Sequence, residues 1–226
     1  MSTQEKIYLT NGPNYVEHWG FWEATREILQ NAIDTKDYEV NKLLSSGILK
    51  ITSKAGPMKL STLMLGESSK RDDANSIGKY GEGYKLALLV LIRSGYEVLI
   101  KNGVDCWQVS IEEHPQLKSD CLTINVISNV YADEGNENEV SFVISNLTAD
   151  NFDIIDANFI SKDMECYHIE AESDNSYCFN YNIVDGYEYD DDDIKKVFVG
   201  GLFVCDLPAK DNYHYSYNFA PNILEL

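Results

Sequence analysis

Glu27-Ile-Leu-Gln-Asn31-Ala-Ile-Asp34 lies inside a helical pattern, and Ser76-Ile-Gly78-Lys79-Tyr80-Gly81-Glu82-Gly83-Tyr-Lys85 opens a second one. The first stretch spaces a carboxylate, a carboxamide and a second carboxylate at i, i+4 and i+7, which the helical period aligns along one stripe. The second runs glycine-rich backbone into a helix N-terminus, where unpaired N–H groups and the positive end of the dipole favour phosphate. Backbone amides from Gly78 to Gly83 would form an anion-binding nest.

Working outward, Lys6 to Thr10 reads as a short strand and Asn11 to Asn14 as a turn. The spacing of Trp22, Ile28, Leu29, Ile33, Val40, Leu43 and Leu44 predicts one long helix from about His18 to Ser46, ended by Gly47. Ile48 to Thr52 follows as a strand, Ala55-Gly56-Pro57 breaks it, and Lys59 to Leu65 forms a short helix. Gly66 to Asn75 is polar and aperiodic, the character expected of a lid loop.

The second long helix runs from about Glu82 to Arg93 and closes at Ser94-Gly95. Four strands are expected after it: Tyr96 to Lys101, Cys106 to Glu112, Cys121 to Ser128 and Glu139 to Ser145. Consecutive strands with tight turns after two helices predict an α+β fold, a two-layer sandwich of a mixed or antiparallel sheet with helices on one face. Thr148 caps a further helix reaching about Ile160. The last third changes texture: Tyr187 to Asp193 is an acidic run, Val197 to Cys205 a strand interrupted by Gly200-Gly201, and Tyr213 to Phe219 alternating and aromatic.

Composition bounds the rest. With 226 residues, 44% of them apolar, the chain can build one sizeable core or a domain with an extension. Its longest apolar run, Leu86 to Ile92, falls far short of the roughly 20 residues of a membrane span, and no secretory leader is visible, so the expected location is cytoplasmic. Five cysteines with no CxxC spacing argue for reduced thiols rather than a disulfide framework. The four histidines are too dispersed for a zinc site. A net charge of −19 disfavours direct nucleic-acid binding; Lys70, Arg71, Lys79 and Lys85 are the one basic cluster, and they fall in the glycine-rich region.

Hydrolysis of a γ-phosphate needs a base for water, a cation bridging phosphate oxygens and donors for the developing charge. Glu27 is the candidate general base. Asn31 offers a neutral oxygen to Mg²⁺, which keeps waters and shares its coordination with phosphates. Asp34 could hold one of those waters or contact the nucleotide. A Glu/Asn/Asp stripe or a glycine loop alone is commonplace; their order, with a polar stretch between, is more specific.

In these motifs the chain resembles the Bergerat-fold (GHKL) superfamily of gyrase B, its related heat-shock chaperone, histidine kinases and MutL. Glu27, Asn31 and Asp34 look like its N-box; Leu65 to Lys70 followed by Ile77 to Lys85 looks like its lid and glycine box. The resemblance spans roughly residues 17 to 145 and implies a nucleotide-binding domain over 1–147. It also implies a C-terminal extension over 148–226, packed on that domain and similar to the start of a transducer-like segment. By the same resemblance Glu27 activates water, Asn31 binds Mg²⁺, and Ser68, Ser69, Lys70, Gly78, Lys79, Tyr80, Gly81, Glu82, Gly83 and Lys85 surround the triphosphate of ATP. A protein partner and a nucleotide-dependent homodimer are implied as well.

The family's D-x-G-x-G after the second strand reads here Ser53-Lys-Ala-Gly56-Pro-Met58, with serine in place of the aspartate that accepts from the adenine amino group. A neutral acceptor is worth roughly 1 kcal/mol less than a charged one. The family threonine before the last sheet strand is replaced, with Asn138 nearest to its place. No lysine equivalent to that supplied by the relatives' following domain is identified, so turnover is expected to be slow or absent. Two functions follow: an Mg·ATP-binding, slowly hydrolysing module, favoured by Glu27 and Asn31, and a non-catalytic acidic interaction protein on the same fold, favoured by Ser53.

Overall fold

The computed structural model describes residues 3–9, 12–63, 83–132, 134, 137–161, 168–170, 177–179, 195–208 and 215–220. The protein is α+β, built on a large antiparallel sheet with few helices. It divides into two compact units, Met1–Ile154 and Ile155–Leu226.

The first unit holds β1 (Gln4–Tyr8), α1 (Phe21–Ile33), β2 (Tyr38–Leu43), β3 (Ile48–Ser53), α2 (Gly83–Arg93), β4 (Glu97–Asn102), β5 (Asp105–Glu113), β6 (Asp120–Ile127) and β7 (Val140–Ser145). Helix α3 (Ala149–Asn158) spans the division. The sheet order is β1-β6-β5-β4-β7-β3-β2, with every neighbouring pair antiparallel. The four strands expected after the second helix are β4 to β7.

Period-2 alternation sorts the sheet residues by face. Ile51 pairs with Phe142, Phe142 with Ile100, Ile100 with Trp107 and Trp107 with Val126, so one buried apolar row crosses five strands. Ser53 shares the parity of Ile51 and bonds to Thr35 just past α1, which places this face under α1. Helix α1 packs on β2, β3 and α2, and α2 packs on β4 and β5. Leu88, Leu89 and Leu91 of α2 are fully buried, at about 2 kcal/mol each relative to exposure.

The long helix expected from His18 to Ser46 is corrected. Helix α1 stops at Ile33, Tyr38–Leu43 is the edge strand β2, and Leu44–Ser46 is a 3-10 turn. Thr35 ends the helix chemically: its hydroxyl donates to the Ala32 carbonyl 2.6 Å away, with the Asp37 carbonyl at 3.2 Å as the alternative acceptor. Lys36 then takes a φ of +65°, which no helix continues. Val40, Leu43 and Leu44 fit the helical period by coincidence; what Val40 has is Ile51 across the sheet. Gly47 turns the β2–β3 connection at φ +61°, and a Cβ there would lie 2.6 Å from the Leu147 carbonyl oxygen, so this position admits glycine alone.

The short helix expected over Lys59 to Leu65 is a 3-10 helix at Leu60–Leu63. Thr148 precedes α3 as expected, with its N–H and hydroxyl both donating to Asn151 Oδ1. The second unit carries β8 (His168–Glu170), β9 (Tyr177–Phe179), β10 (Lys196–Val199), β11 (Leu202–Asp206) and β12 (Ser216–Phe219) in a mixed sheet ordered β11-β10-β12-β9-β8. Gly200-Gly201 is the turn of the β10–β11 hairpin rather than an interruption within one strand. The acidic run 187–193 and the lid expected at 66–75 lie outside the described residues. Among the described residues, no helix is long and apolar enough to cross a membrane.

Candidate functional site

The α1 stripe meets the start of α2. A Cβ placed on Gly83 would overlap Oε2 of Glu27 and lie 3.0 Å from its Cδ, so the carboxyl group rests directly on the Gly83 backbone. A side chain at this position would have to turn the Glu27 carboxyl aside. Burial pushes the Glu27 carboxyl above the usual carboxylate range, against the pull of neighbouring Arg26. A carboxyl tuned upward is closer to the proton affinity useful in a general base at neutral pH.

One turn on, Asn31 Nδ2 donates to the Glu27 carbonyl oxygen at 2.8 Å. This bond fixes the carboxamide and leaves Oδ1 as the atom it does not use, on the stripe that Glu27 begins. Asp34 caps the C-terminal end of α1, its N–H donating to Gln30 O at 3.0 Å.

Just past the end of α1, Thr35 reaches β3. Ser53 Oγ donates to Thr35 Oγ1 at 3.1 Å. On the opposite face of the same strand the Thr52 and Ser141 hydroxyls pair at 2.9 Å, buried, and hold β3 against β7. The loop after Ser53 is pinned twice. Gly56, at φ +93°, donates its N–H to Asn138 O, and Met58 is bracketed by the buried Asn102 carboxamide, which accepts from Met58 N at 2.7 Å and donates to Met58 O at 2.9 Å.

Glu27, Asn31 and Gly83 thus meet on α1, with Asp34 at its C-terminal end and Ser53 bonded to Thr35 just past it, while Gly56 and Met58 are held by Asn138 and Asn102. Lys85 is 2% exposed on α2, its Nζ 5.9 Å from the Tyr84 ring centroid. Its ammonium therefore belongs to the helix layer, not to an open loop. Ser68, Ser69, Lys70, Gly78, Lys79, Tyr80, Gly81 and Glu82 lie outside the described residues. The residues flanking that stretch are joined: the Tyr84 hydroxyl donates to Thr62 O at 2.9 Å, and burial pushes its pKa up to about 12. Among the described residues no three His, Cys, Asp or Glu side chains gather as metal ligands.

Two residues that build the site were not singled out by the sequence. Asn102 lies 44 positions from the Met58 it brackets, beyond the reach of any local pattern. Thr35 carried no signal. No family model matches the chain, and no curated protein matches it.

Proposed function

We propose that the first unit is a Bergerat-type nucleotide-binding module, a two-layer sandwich that binds Mg·ATP and hydrolyses it slowly. Its 66–75 segment would close over the nucleotide and alter how the protein meets a protein partner or a second copy. The observation that carries the reading is the Glu27 carboxyl seated on the Gly83 backbone, one helical turn from Asn31. It sets a base, a neutral oxygen ligand and a helix N-terminus side by side, in the chemistry that water attack on a terminal phosphate requires.

The residues fit magnesium in the nature of their donor. Asn31 Nδ2 is spent on a carbonyl, so the oxygen end is what remains, and Mg²⁺ takes oxygen ligands. Asn31 Oδ1, with Asp34 through water, would hold the hydrated ion, whose charge would offset that of the phosphates. Glu27 would accept the proton of the attacking water, and the α2 amides would orient the phosphate. The Tyr84–Thr62 bond joins the start of α2 to the 3-10 helix at Leu60–Leu63.

A second reading, a non-catalytic protein offering its acidic surface to a basic partner, is favoured by Ser53 and the net charge of −19. Thermal denaturation with Mg·ATP and with Mg·GTP separates the two. At 100 times its dissociation constant a ligand stabilises by about 2.7 kcal/mol, and a rise in Tm with Mg·ATP is expected. No shift with either nucleotide would leave the second reading standing alone.

Gly83→Ala tests the packing itself. Alanine is the better helix former by about 1 kcal/mol, and the group it displaces is the end of a flexible side chain. Stability is therefore expected to change by less than about 1 kcal/mol, while phosphate release falls at least tenfold as Glu27 is turned off its seat. A melting curve and a phosphate assay on one preparation check both halves.

A further inference from the structure

The connection between β5 and β6, His114 to Ser119, is folded around one half-buried imidazole. Gln116 N and Leu117 N both donate to His114 Nδ1, at 3.2 and 3.1 Å, and Lys118 N donates to the His114 carbonyl oxygen at 3.0 Å. A ring nitrogen that accepts carries no proton, so the turn selects the neutral imidazole with its hydrogen on Nε2. A proton on Nδ1 would point at two N–H groups, and both amides would lose their acceptor at once. The same ring meets Tyr8 of the edge strand β1 edge-on, with centroids 5.0 Å apart. One side chain therefore closes a turn and braces the end of an edge strand.

We propose that this turn is a pH-sensitive clasp: when His114 takes a proton the Gln116 and Leu117 amides are released, the turn opens, and the Tyr8 end of β1 loosens with it. The inference stands apart from the nucleotide reading. The charged groups around the ring are Glu113 and Lys118, paired with each other at 3.3 Å, Asp120, opposite Glu113 in the β5–β6 register, and the Lys6–Glu112 pair between β1 and β5. Tyr8 is the titratable neighbour on β1. Glu113 and Asp120 attract an imidazolium, but both are exposed, where water and salt screen them. The turn amides touch Nδ1 directly. They therefore set the direction: lower pH opens the clasp.

The test is hydrogen exchange of the full chain, read residue by residue by NMR between about pH 7.5 and 5.5, the range in which histidine changes charge. After correction for intrinsic exchange rates, protection of Gln116 and Leu117 is expected to fall by about tenfold or more, the scale of two neutral hydrogen bonds, relative to Ile100 and Ile144 at the centre of the sheet. Leu9, whose N–H donates to Leu122 O at 2.8 Å, should lose protection with them. His114→Asn keeps a side-chain acceptor that does not titrate, and its protection should be the same at both ends of the range. His114→Phe keeps a ring against Tyr8 without an acceptor and leaves both turn amides open at every pH. Glu113→Gln and Asp120→Asn should keep the wild-type dependence. Wild-type protection of Gln116, Leu117 or Leu9 that does not change with pH, a change that persists in His114→Asn, or one that disappears in Glu113→Gln or Asp120→Asn, overturns the proposal. Wild type against His114→Asn decides the matter even where His114→Phe fails to fold.

Discussion

On the proposed function, Glu27→Gln is expected to lower phosphate release from Mg·ATP by about 10² to 10⁴-fold, the range a positioned general base contributes, while leaving nucleotide binding close to that of wild type. Glutamine keeps the shape that sits on Gly83 and removes only the ability to take a proton. Equal release rates for wild type and variant would refute the assignment. The same substitution has a second, independent readout in stability. Burial raises the Glu27 carboxyl above its ordinary value of 4.5, so over the interval above 4.5 the folded protein holds a proton that the unfolded chain has lost. Stability from this group is complete below 4.5 and is lost as pH rises through the elevated folded value. Glutamine does not titrate. The variant should therefore melt higher than wild type at neutral pH, with the gap closing as pH falls below the ordinary carboxylate value, and a melting series against pH checks the sign. A variant that melts lower at neutral pH would mean that the ionised carboxylate is held by favourable partners.

How much of this was legible in the sequence follows from the range of the interactions. The α1 stripe was readable because Glu27, Asn31 and Asp34 share a helix, and helical spacing alone sets them on one side. Strands β4 to β7 were readable because each alternates and each is separated from the next by a turn signal. Tyr38–Leu43 was not: its apolar residues fit a helix as well as a strand, and the choice was made by Thr35 stopping α1 and by pairing with β3. The strands β8 and β9 gave no signal, each being three residues long. Asn102 acts on Met58 across 44 positions of sequence, and no local pattern could associate them. Ser53 was noted for what it lacks, a charge; its hydroxyl bonds to a neighbour 18 positions back, visible only once the chain has folded.

Arg93→Ala is expected to destabilise the first unit by about 4 kcal/mol, at roughly 1 kcal/mol for each of the bonds lost. The Arg93 guanidinium, at the C-terminal end of α2, donates through Nη1 to Pro13 O and Tyr15 O at 3.1 and 2.7 Å, and through Nη2 to Val16 O and Trp19 O at 2.7 and 3.1 Å. These carbonyls belong to the irregular 12–20 segment, which pairs with no strand among the described residues and takes a left-handed turn at Val16, φ +49°, whose carbonyl also accepts from Trp19 N. A planar fork of five donors can reach several acceptors at once, and an ammonium cannot match that geometry, so Arg93→Lys should recover only a minor part of the loss. Urea denaturation gives the stability, and hydrogen exchange should show the loosening concentrated in residues 12–20 rather than in the sheet. A loss below about 1 kcal/mol would mean that water replaces the guanidinium at no cost. The segment held by Arg93 runs directly into Gly20, whose N–H is taken by Glu23 Oε2 at 2.8 Å to begin α1. Arg93 therefore anchors one end of the helix that carries Glu27 and Asn31, and α2, the helix on which Arg93 lies, also supplies Gly83 at its other end. The same two helices are fastened at the clamp and meet at the site, so loosening the clamp in a still-folded Arg93→Lys variant should weaken phosphate release more than it weakens nucleotide binding.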